Sequence, residues 1–368
     1  MRIVLIGDGE SPHLLKWARA LAQVEGVQLW AASSRGFAAG FDAFVSTERR
    51  LALGTHAAHS GGNFGVLLSL PRLGFWLRRV DADWLHAHYL TSHGTLAWLA
   101  KRVWRLRGQL VGSAWGSDVL VTPQHSAAYR WLTQQVLRAC RLTTSDSAHM
   151  AQRLRELGAA EVMTFPFGLD ALPAPGAPKQ PWLFFANRGL EPLYQPLRVL
   201  QFFALVAQSR PEARLVVANR GAMRESLREA ALAMGLSVGT LQQGQQVEFT
   251  GLLEPETQAS WYARAQWYLS LPQSDSVSVS VIEAMAHGCI PLLSDLPANR
   301  ELVRDGDNGM IVPAWQHLAP LGALEALLGK ADHVASANRE WVATHALFAS
   351  AVARFVARLR GFASRACA

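Results

Sequence analysis

The stretch SLPQSDSVSVSVIEAMAHGCIPLLSDLPANRE, residues 270–301, indicates the fold class of this 368-residue chain. With the residues just before it, it predicts a short buried strand over Trp267–Leu271, followed by a polar loop. A helix is predicted over Val279–His287, with Gly288 ending it, and a second strand over Cys289–Leu293. Strands and helices that alternate in this way form an α/β fold with a parallel sheet, whose ligands bind at the carboxyl ends of the strands.

Two acidic residues frame the start of this predicted helix. Asp275 lies in the polar loop, and Glu283 follows eight positions later, about two helical turns along. A helix N-terminus presents unpaired backbone N–H groups and a positive dipole end, so it suits an anion such as a diphosphate. Two carboxylates beside it can accept hydrogen bonds from neutral hydroxyls. The arrangement therefore predicts a site for a nucleotide sugar.

The same stretch resembles the donor-site motif of retaining glycosyltransferases of the GT4 type, which have the GT-B fold. The motif of that family reads Glu, seven residues, Glu, and this chain reads Asp275, seven residues, Glu283. The following EAMAHGCIPLLSD and the later GDNGMIVP, Gly306–Pro313, are also similar to the family. The resemblance thus covers a motif together with its strand–loop–helix–strand context.

The resemblance implies two Rossmann-like domains with parallel sheets that face an interdomain cleft. An N-terminal domain over residues 1–172 would bind the acceptor, and a C-terminal domain over residues 180–344 would bind the nucleotide sugar. From Trp315 onwards the sequence predicts helix. The stretch Trp341–Arg360 is expected to return to the first domain, so that a C-terminal helix at about 345–368 packs back on it.

The resemblance also assigns residues to the donor. Arg188 matches the arginine that the family presents to the diphosphate, whereas the lysine expected about five residues later is replaced by apolar or amide residues. Glu283 would accept hydrogen bonds from the ribose, Asp275 would accept them from the sugar, and Leu253 would lie near the base. The loop residues Ser274, Ser276 and Val277 and the glycine of the first turn, Gly9, complete the predicted donor contacts.

The N-terminus forms a strand–turn–helix unit around Gly7-Asp8-Gly9. A dinucleotide site would need G-x-G-x-x-G, but Pro12 occupies the third glycine position, and no acid ends the second strand. NADP binding therefore stays a weak alternative. In the resembling family this turn faces the cleft, which would place Ser11 and His13 near the acceptor or the donor phosphate. The simpler alternative is a helix-capping serine and a surface histidine.

A predicted strand ends in His86 and His88, which share one face because they lie two residues apart. With His93 they suggest a metal site, but no carboxylate or cysteine at a fitting spacing completes one, so no metal is predicted. The resemblance instead places His88 at the cleft as a catalytic or sugar-contacting residue.

The segment Trp115-Gly116-Ser117-Asp118 resembles the H-G-S-D segment of the family, with tryptophan in place of histidine. The resemblance implies that Asp118 stabilises positive charge at an oxocarbenium-like carbon or orients the acceptor, and that Ser117 contacts the acceptor. The alternative is a serine–aspartate pair that merely begins a helix.

Composition limits the remaining possibilities. The chain has 35 Lys+Arg against 28 Asp+Glu, a net charge of +7, and residues 1–170 carry 18 basic and 12 acidic residues. This basic first half favours an anionic partner or membrane surface. The alternative, of equal weight, is that the excess charge only reflects an arginine-rich composition. Three distant cysteines show no disulfide or metal spacing, as expected in a reduced cytoplasm. Neither a signal peptide nor an apolar run of about 20 residues is recognisable.

Two stretches combine apolar, aromatic and arginine residues. Phe64–Arg79 is predicted as a helix, and a second cluster lies over Trp98–Arg107. A helix of this composition can rest on anionic lipid, although a surface helix that packs its apolar face inward has the same sequence pattern. The weakly periodic residues 36–64 are expected to form a loop near the acceptor.

The resemblance, taken with the composition, implies a cytoplasmic, retaining hexosyltransferase that would require neither a metal nor a resident cofactor and would work at the inner face of the membrane. Its donor would be UDP-linked or, next in preference, GDP-linked, and its acceptor a glycan or a lipid-linked glycan of the cell surface, such as lipopolysaccharide. No nucleic-acid partner is expected. Two alternatives stay open: a nucleotide-sugar 2-epimerase of the same fold, and a catalytically degenerate transferase domain that serves as an assembly partner.

Overall fold

The computed structural model describes residues 1–55, 67–174, 176–313 and 321–366. The chain divides into two compact units. The first unit comprises Met1–Phe165 and Phe348–Ala368, and the second comprises Pro166–Leu347. Each unit is built around one parallel sheet with helices packed against it.

The sheet of the first unit has seven strands within the described residues. In chain order these are β1 Arg2–Gly9, β2 Gln28–Phe37, β3 Arg50–Ala52, β4 Trp84–His88, β5 Gln109–Ser113, β6 Cys140–Ser145 and β7 Val162–Thr164. They lie in the order β3-β2-β1-β4-β5-β6-β7, with every neighbouring pair parallel. The carboxyl ends of β1, β4 and β5 therefore lie side by side at one edge.

Helices connect these strands. They are α1 Pro12–Ala22, α2 Leu70–Val80, α3 Thr95–Val103, α4 Ser117–Leu120, α5 Thr122–His125, α6 Ala127–Ala139 and α7 Ala148–Glu156. A single π-helical segment, Tyr89–Gly94, joins β4 to α3. The sequence did not indicate this segment.

The second unit has a sheet of six strands within the described part of the chain. They are β8 Gln180–Ala186, β9 Arg214–Ala218, β10 Val247–Gly251, β11 Ala265–Ser270, β12 Ile290–Ser294 and β13 Met310–Val312. Their order is β10-β9-β8-β11-β12-β13, and all neighbours are parallel. The strand–loop–helix–strand unit predicted from residues 267–293 is confirmed at the β11-to-β12 step, with shifts of one or two residues at its ends.

The helices of the second unit cover both faces of this sheet. They are α8 Pro196–Ser209, α9 Arg224–Ala233, α10 Pro255–Arg264, α11 Val279–Ala286, α12 Pro297–Leu302, α13 Leu321–Leu328 and α14 Ala331–His345. Successive strand residues point to opposite faces. Phe184 accordingly joins a core cluster with α8 and α9, and Phe185 joins another with α11 and α14. Both phenylalanines are fully buried.

The helical run that the sequence predicts from Trp315 onwards is not continuous across residues 341–360. Helix α14 ends at His345, and a new helix, α15 Phe348–Ala366, belongs to the first unit. The interruption has a long-range cause, because the carbonyl of Ala346 accepts the backbone N–H of Leu169 at 2.7 Å. A Cβ on Gly168 would lie 1.8 Å from that same carbonyl, so only glycine fits there.

Helix α15 completes the core of the first unit. Its Phe348 and Phe355 are fully buried and pack edge-on against the indole of Trp17 in α1, with ring centroids 5.1 and 5.2 Å apart. Truncating a buried phenylalanine typically costs about 3–5 kcal/mol. The C-terminal helix is therefore part of the first unit.

Three further boundaries differ from prediction. The stretch 36–64 was expected to be a loop, yet Arg50–Ala52 pairs with β2 as strand β3; residues 56–64 lie outside the described part. Helix α2 begins at Leu70, whereas the predicted start, Phe64, is not among the described residues. The helix predicted from His125 begins at Ala127, because Ser126 caps it by accepting the N–H of Tyr129 at 3.2 Å. Residues 314–320, which include Trp315, are outside the description.

Candidate functional site

Arg188 follows strand β8 and is held by four side chains of the second unit. Its Nη2 donates to Oδ2 of Asp275 at 2.6 Å, and its Nη1 donates to the hydroxyls of Ser280, at 3.2 Å, and Ser278. The guanidinium also lies over the ring of Tyr194, 4.6 Å from its centroid. Arg188 and Asp275 were predicted to contact different parts of a ligand, and the structure joins them in an ion pair.

The loop between β11 and α11 places the predicted donor residues around this pair. Oδ1 of Asp275 accepts the backbone N–H of Ser276 at 3.0 Å. Burial raises the pKa of the Asp275 carboxyl, and the charge of Arg188 and the bond from Ser276 oppose that rise. Ser276 and Val277 are buried, whereas Ser274 is partly exposed.

The guanidinium of Arg188 lies at the N-terminus of α11. Ser278 precedes the helix, and its side chain makes no capping bond to the helix backbone but accepts from Arg188. Gly288 follows the helix in the left-handed region, at φ +77°, as the sequence predicted. The dipole end of α11 and the guanidinium both favour negative charge at this place.

Glu283 lies on α11 and accepts hydrogen bonds from helix α10. Its Oε2 accepts the hydroxyl of Tyr262 at 2.9 Å and Nε2 of Gln258 at 3.4 Å. The hydroxyl of Tyr262 accepts from Nδ2 of Asn187 at 2.8 Å, and Oδ1 of Asn187 accepts the hydroxyl of Tyr268 at 2.7 Å. Burial raises the pKa of the Tyr262 phenol well above its ordinary value, so the phenol stays protonated and donates.

This network of Asn187, Tyr262 and Tyr268 was missed in the sequence. The sequence feature that could have pointed to it is the place of Asn187, which directly precedes Arg188 at the carboxyl end of β8. The predicted base contact, Leu253, lies in the turn between β10 and α10. It is partly buried against the apolar cluster beneath α11.

In the first unit, an aromatic cluster forms where β1, β4 and β5 end. The indole of Trp115 stacks against the rings of His13, His88 and Tyr89, with centroid distances of 4.5, 5.8 and 6.0 Å. The structure therefore brings together His13 and His88, two of the residues predicted to contact substrate.

Ser11 and Gly9 have structural reasons for their identities. The hydroxyl of Ser11 caps α1 by accepting the N–H of His13 at 3.3 Å. A Cβ on Gly9 would lie 2.5 Å from the carbonyl of Gly36, so β1 and the end of β2 approach too closely for a side chain. The N–H of Gly9 donates to the hydroxyl of Ser33 at 2.8 Å.

His86, His88 and His93 are buried, His13 is partly buried, and all four rings are uncharged. Burial lowers the pKa of His13 to about 4, that of His86 to about 3, that of His93 to about 4, and that of His88 well below its ordinary value. His86 shares a 2.7 Å hydrogen bond with Ser113. Within the described residues, neither ring nitrogen of His88 has a hydrogen-bond partner, and no three His, Cys, Asp or Glu side chains group as metal ligands.

Asp118 is only 2% exposed, and both of its carboxylate oxygens are engaged by the backbone. Oδ1 accepts the N–H of Trp115 at 2.9 Å, and Oδ2 accepts the N–H of Leu90 at 2.8 Å. Burial raises its pKa to about 6, against the opposing effect of these bonds. The side chain thus ties together the turns after β4 and β5, while Ser117 begins α4 next to Gly116, which has φ +97°.

Comparison with known families identifies the family to which this chain belongs. The profile described as glycosyl transferases group 1 matches residues 172–334, and the profile described as glycosyl transferase 4-like matches residues 2–147. This chain belongs to the group 1, GT4-like glycosyltransferases. The resemblance drawn from Asp275, Glu283 and their context is therefore confirmed at the level of family.

Characterised relatives are distant. The chain is 27% identical over 169 residues to a GDP-mannose:cellobiosyl-diphosphopolyprenol alpha-mannosyltransferase of Xanthomonas campestris, and the match covers 44% of this chain and 41% of that protein. It is 26% identical over 286 residues to a phosphatidyl-myo-inositol mannosyltransferase of Mycolicibacterium smegmatis, covering 72% and 67% of the two chains. This glycosyltransferase thus spans about two fifths of the first relative and two thirds of the second.

Solved structures confirm the fold. Anabaena HepE in complex with UDP-glucose superposes with a TM-score of 0.73 at 14% identity, covering 98% of this chain and 99% of that one. Sucrose-phosphate synthase from Thermosynechococcus elongatus gives 0.74 at 15% identity, with 99% and 100% covered. The glycosyltransferase therefore has the GT-B fold that its sequence predicted. None of its helices in the described ranges has the length and hydropathy of a membrane-spanning helix.

Proposed function

We propose that this glycosyltransferase moves a hexose-type sugar from a UDP- or GDP-linked donor to a glycan or lipid-linked acceptor, with retention of anomeric configuration. The observation that carries the proposal is the placement of Arg188 against the N-terminus of α11, between Asp275 and the hydroxyls of Ser278 and Ser280. A cation and a helix dipole that act at one place suit a diphosphate.

Each donor residue then has a distinct task. Arg188 and the first turn of α11 would neutralise the diphosphate, which makes a metal ion unnecessary. Glu283, one oxygen of which already accepts from Tyr262 at 2.9 Å, would accept from the ribose hydroxyls. Asp275 would accept from the sugar, and backbone N–H groups of the loop at Ser274, Ser276 and Val277 would contact the phosphates or the sugar.

The aromatic end of the first unit would bind the acceptor. Trp115 and His13 offer stacked, uncharged rings, which suit the apolar face of a sugar, and His88 adds polar ring nitrogens. Asp118 would act as a positioning residue, because both of its oxygens hold the backbone that carries Trp115. This assignment replaces the direct charge-stabilising role that the sequence suggested for Asp118.

The chemistry would be mostly positioning and charge stabilisation. The bond between the anomeric carbon and the phosphate oxygen breaks, and the acceptor oxygen forms a new bond on the same face of that carbon. The acceptor proton passes to the departing phosphate oxygen, so no side chain is needed as a nucleophile. Arg188 holds the negative charge that develops on the leaving diphosphate.

The donor and acceptor classes rest on chemistry and on the relatives. Two relatives are described by acceptors that carry a lipid, a diphosphopolyprenol and a phosphatidylinositol, and by mannosyl transfer. HepE has been solved with UDP and UDP-glucose. We therefore propose a lipid-linked acceptor of cell-surface polysaccharide or lipopolysaccharide synthesis, handled at the cytoplasmic face of the membrane.

The test is a thermal-shift panel of UDP, GDP, ADP and NADP⁺ on the purified chain, without and then with Mg²⁺. A ligand at about 100 times its Kd stabilises by about 2.7 kcal/mol, so binding of one diphosphate is expected as a clear shift that Mg²⁺ does not alter. Glu283→Ala should remove most of that shift, whereas Asp275→Ala should mainly lower transfer. The matched control is Glu256→Ala, which removes an exposed carboxylate from α10.

The other outcomes identify the alternatives. Equal diphosphate affinity in Glu283→Ala and the parent would refute the ribose assignment. Release of free hexose from the donor without any acceptor would favour the 2-epimerase. If no nucleoside diphosphate shifts the unfolding temperature, the degenerate assembly partner is favoured. A shift with NADP⁺ alone would refute the assignment as a transferase.

A further inference from the structure

A cavity of about 790 Å³ lies in the first unit between α2 and the segment that follows α3. It is distinct from the aromatic cluster where β1, β4 and β5 end. Its lining combines apolar and aromatic side chains with three arginines, Arg78, Arg105 and Arg107, and one acid, Asp81. We call this cavity and its rim the basic pocket.

The floor of the basic pocket is aromatic. The indole of Trp104 packs directly on α2 at Gly74, where a Cβ would lie 2.3 Å from the ring. Phe75 stands edge-on to Trp104, with centroids 5.6 Å apart, and is itself 60% exposed. Val103, beside the indole, is also 60% exposed, and Leu68, just before α2, is 85% exposed. Large apolar side chains therefore stand in solvent next to the cavity.

The segment that carries two of the arginines is fixed. Nζ of Lys101 donates to the carbonyls of Leu106 at 3.0 Å and Gly108 at 2.6 Å. Arg105 adopts the left-handed region, at φ +50°, which turns the chain after α3. Lys101 thus holds the backbone of this segment, whereas Arg105 and Arg107 are exposed to solvent.

The exposed arginines around the basic pocket lack counter-charges. Within the described residues, none of them forms a side-chain hydrogen bond or an ion pair; they are Arg72, Arg78, Arg79, Arg102, Arg105 and Arg107. Some arginines elsewhere in the protein are paired with acids, as Arg153 is with Glu156 at 2.9 Å and Arg300 with Asp295 at 2.6 Å. Asp81 is the one acid that lines the cavity.

This combination selects the partner. Uncompensated arginines attract any polyanion, but a soluble anion gives no reason for Phe75, Val103 and Leu68 to be exposed. A membrane with anionic lipid satisfies both features, because arginines contact the head groups while apolar side chains enter the boundary with the acyl chains. We propose that the basic pocket docks this enzyme on an anionic phospholipid membrane and that one lipid phosphate occupies the cavity between Arg78, Arg105 and Arg107.

The proposal concerns the first unit alone and does not require the donor site to act as described above. Its test is co-sedimentation of the full chain with vesicles of phosphatidylcholine alone and with added phosphatidylglycerol. We expect binding only to the anionic vesicles and its loss at high salt, because charge attraction is screened. Arg105→Ala combined with Arg107→Ala should weaken binding about 30-fold, since each basic residue near the surface strengthens the attraction about fivefold. Phe75→Ser should weaken it without changing the salt dependence.

The matched control is the pair Arg153→Ala and Arg155→Ala on α7, which removes the same charge from the same unit outside the cavity lining. An equal loss of binding in this control would mean that net charge alone explains the effect, and it would refute the basic pocket as the docking site. Equal binding to neutral and anionic vesicles would overturn the phosphate contact, and binding to a DNA duplex without vesicle binding would overturn the membrane. Unchanged diphosphate shifts and unfolding temperatures in all variants separate these results from misfolding and from failure of the proposed function.

Discussion

The two sheets of this glycosyltransferase end in different chemistry. At the edge of the second sheet, ionised groups are paired, as Arg188 and Asp275 are at 2.6 Å. At the edge of the first sheet, the uncharged rings of His13 and His88 stack with Trp115, and the carboxylate of Asp118 accepts from backbone N–H groups. A preformed cation suits a charged diphosphate, and uncharged rings suit a neutral sugar. Under the proposed function, the two units share an architecture and divide the substrates by charge.

The largest expected effect of this contrast is on stability in acid. Four histidines in the first unit have folded pKa values below the unfolded value of about 6.5; they are the buried His86, His88 and His93 and the partly buried His13. Between pH 6.5 and 4 the unfolded chain therefore binds protons that the folded chain does not, and stability falls as pH falls. Asp118 offsets one of them, since its raised pKa lets the folded state keep a proton the unfolded chain releases.

The net difference of about three protons corresponds to a slope of at most about 4 kcal/mol per pH unit. In the second unit, burial lowers the pKa of His287 to about 4. Urea unfolding at several pH values should show the slope, and His88→Phe should reduce it by about 1.4 kcal/mol per pH unit. His333→Phe, which changes an exposed histidine of α14, serves as the control. Identical slopes in His88→Phe and the parent would show that His88 is not buried as an uncharged ring.

The next effect concerns the paired cation of the second unit. Arg188→Ala removes the guanidinium beside α11 and leaves Asp275 partly buried without its partner. We expect kcat/KM to fall by about 10²–10³, the usual effect of removing one charge-stabilising donor. Arg188→Lys should recover only part of this loss, because an ammonium cannot reach Asp275, Ser278 and Ser280 together as the planar fork does.

Steady-state kinetics with the responding donor would measure both variants. Ser280→Ala is the milder control, because it removes one hydroxyl contact at 3.2 Å and keeps the charge. If Arg188→Ala kept parental kcat/KM, the site of charge neutralisation would lie elsewhere in the second unit.

Local sequence predicted the edge of the second sheet better than the edge of the first. The turn from β11 through Asp275 to α11, and the left-handed Gly288 after it, follow from neighbours in the chain. The ion pair joins residues 87 positions apart, so its geometry depends on the whole sheet. The same reason hid Asn187 and Tyr262, which lie 75 positions apart.

The first unit was harder to predict for a related reason. The capping role of Ser11 is local and was foreseen as an alternative. Asp118 was judged by its resemblance to a family motif, but its surroundings come from Leu90, 28 residues away. Likewise, the break between α14 and α15 lies at Ala346, whose carbonyl accepts the N–H of the distant Leu169.

The smallest expected effect tests whether the aromatic cluster around Trp115 binds the acceptor. Trp115→Ala removes the indole that stacks on His13 and His88 but keeps the backbone N–H that Asp118 accepts. An aromatic contact is worth about 0.5–1.5 kcal/mol beyond its buried area, so we expect KM for the acceptor to rise about tenfold. Trp115→Phe should restore most of it, because a flat ring remains.

Donor affinity separates this role from a structural one. The diphosphate thermal shift of Trp115→Ala should equal that of the parent, since the paired groups around Arg188 belong to the other unit. Trp131→Ala, which removes an exposed indole from α6, controls for the loss of aromatic surface. An equal fall in donor and acceptor affinity in Trp115→Ala would mean that the charged and uncharged edges do not divide the substrates, because the indole would then serve both.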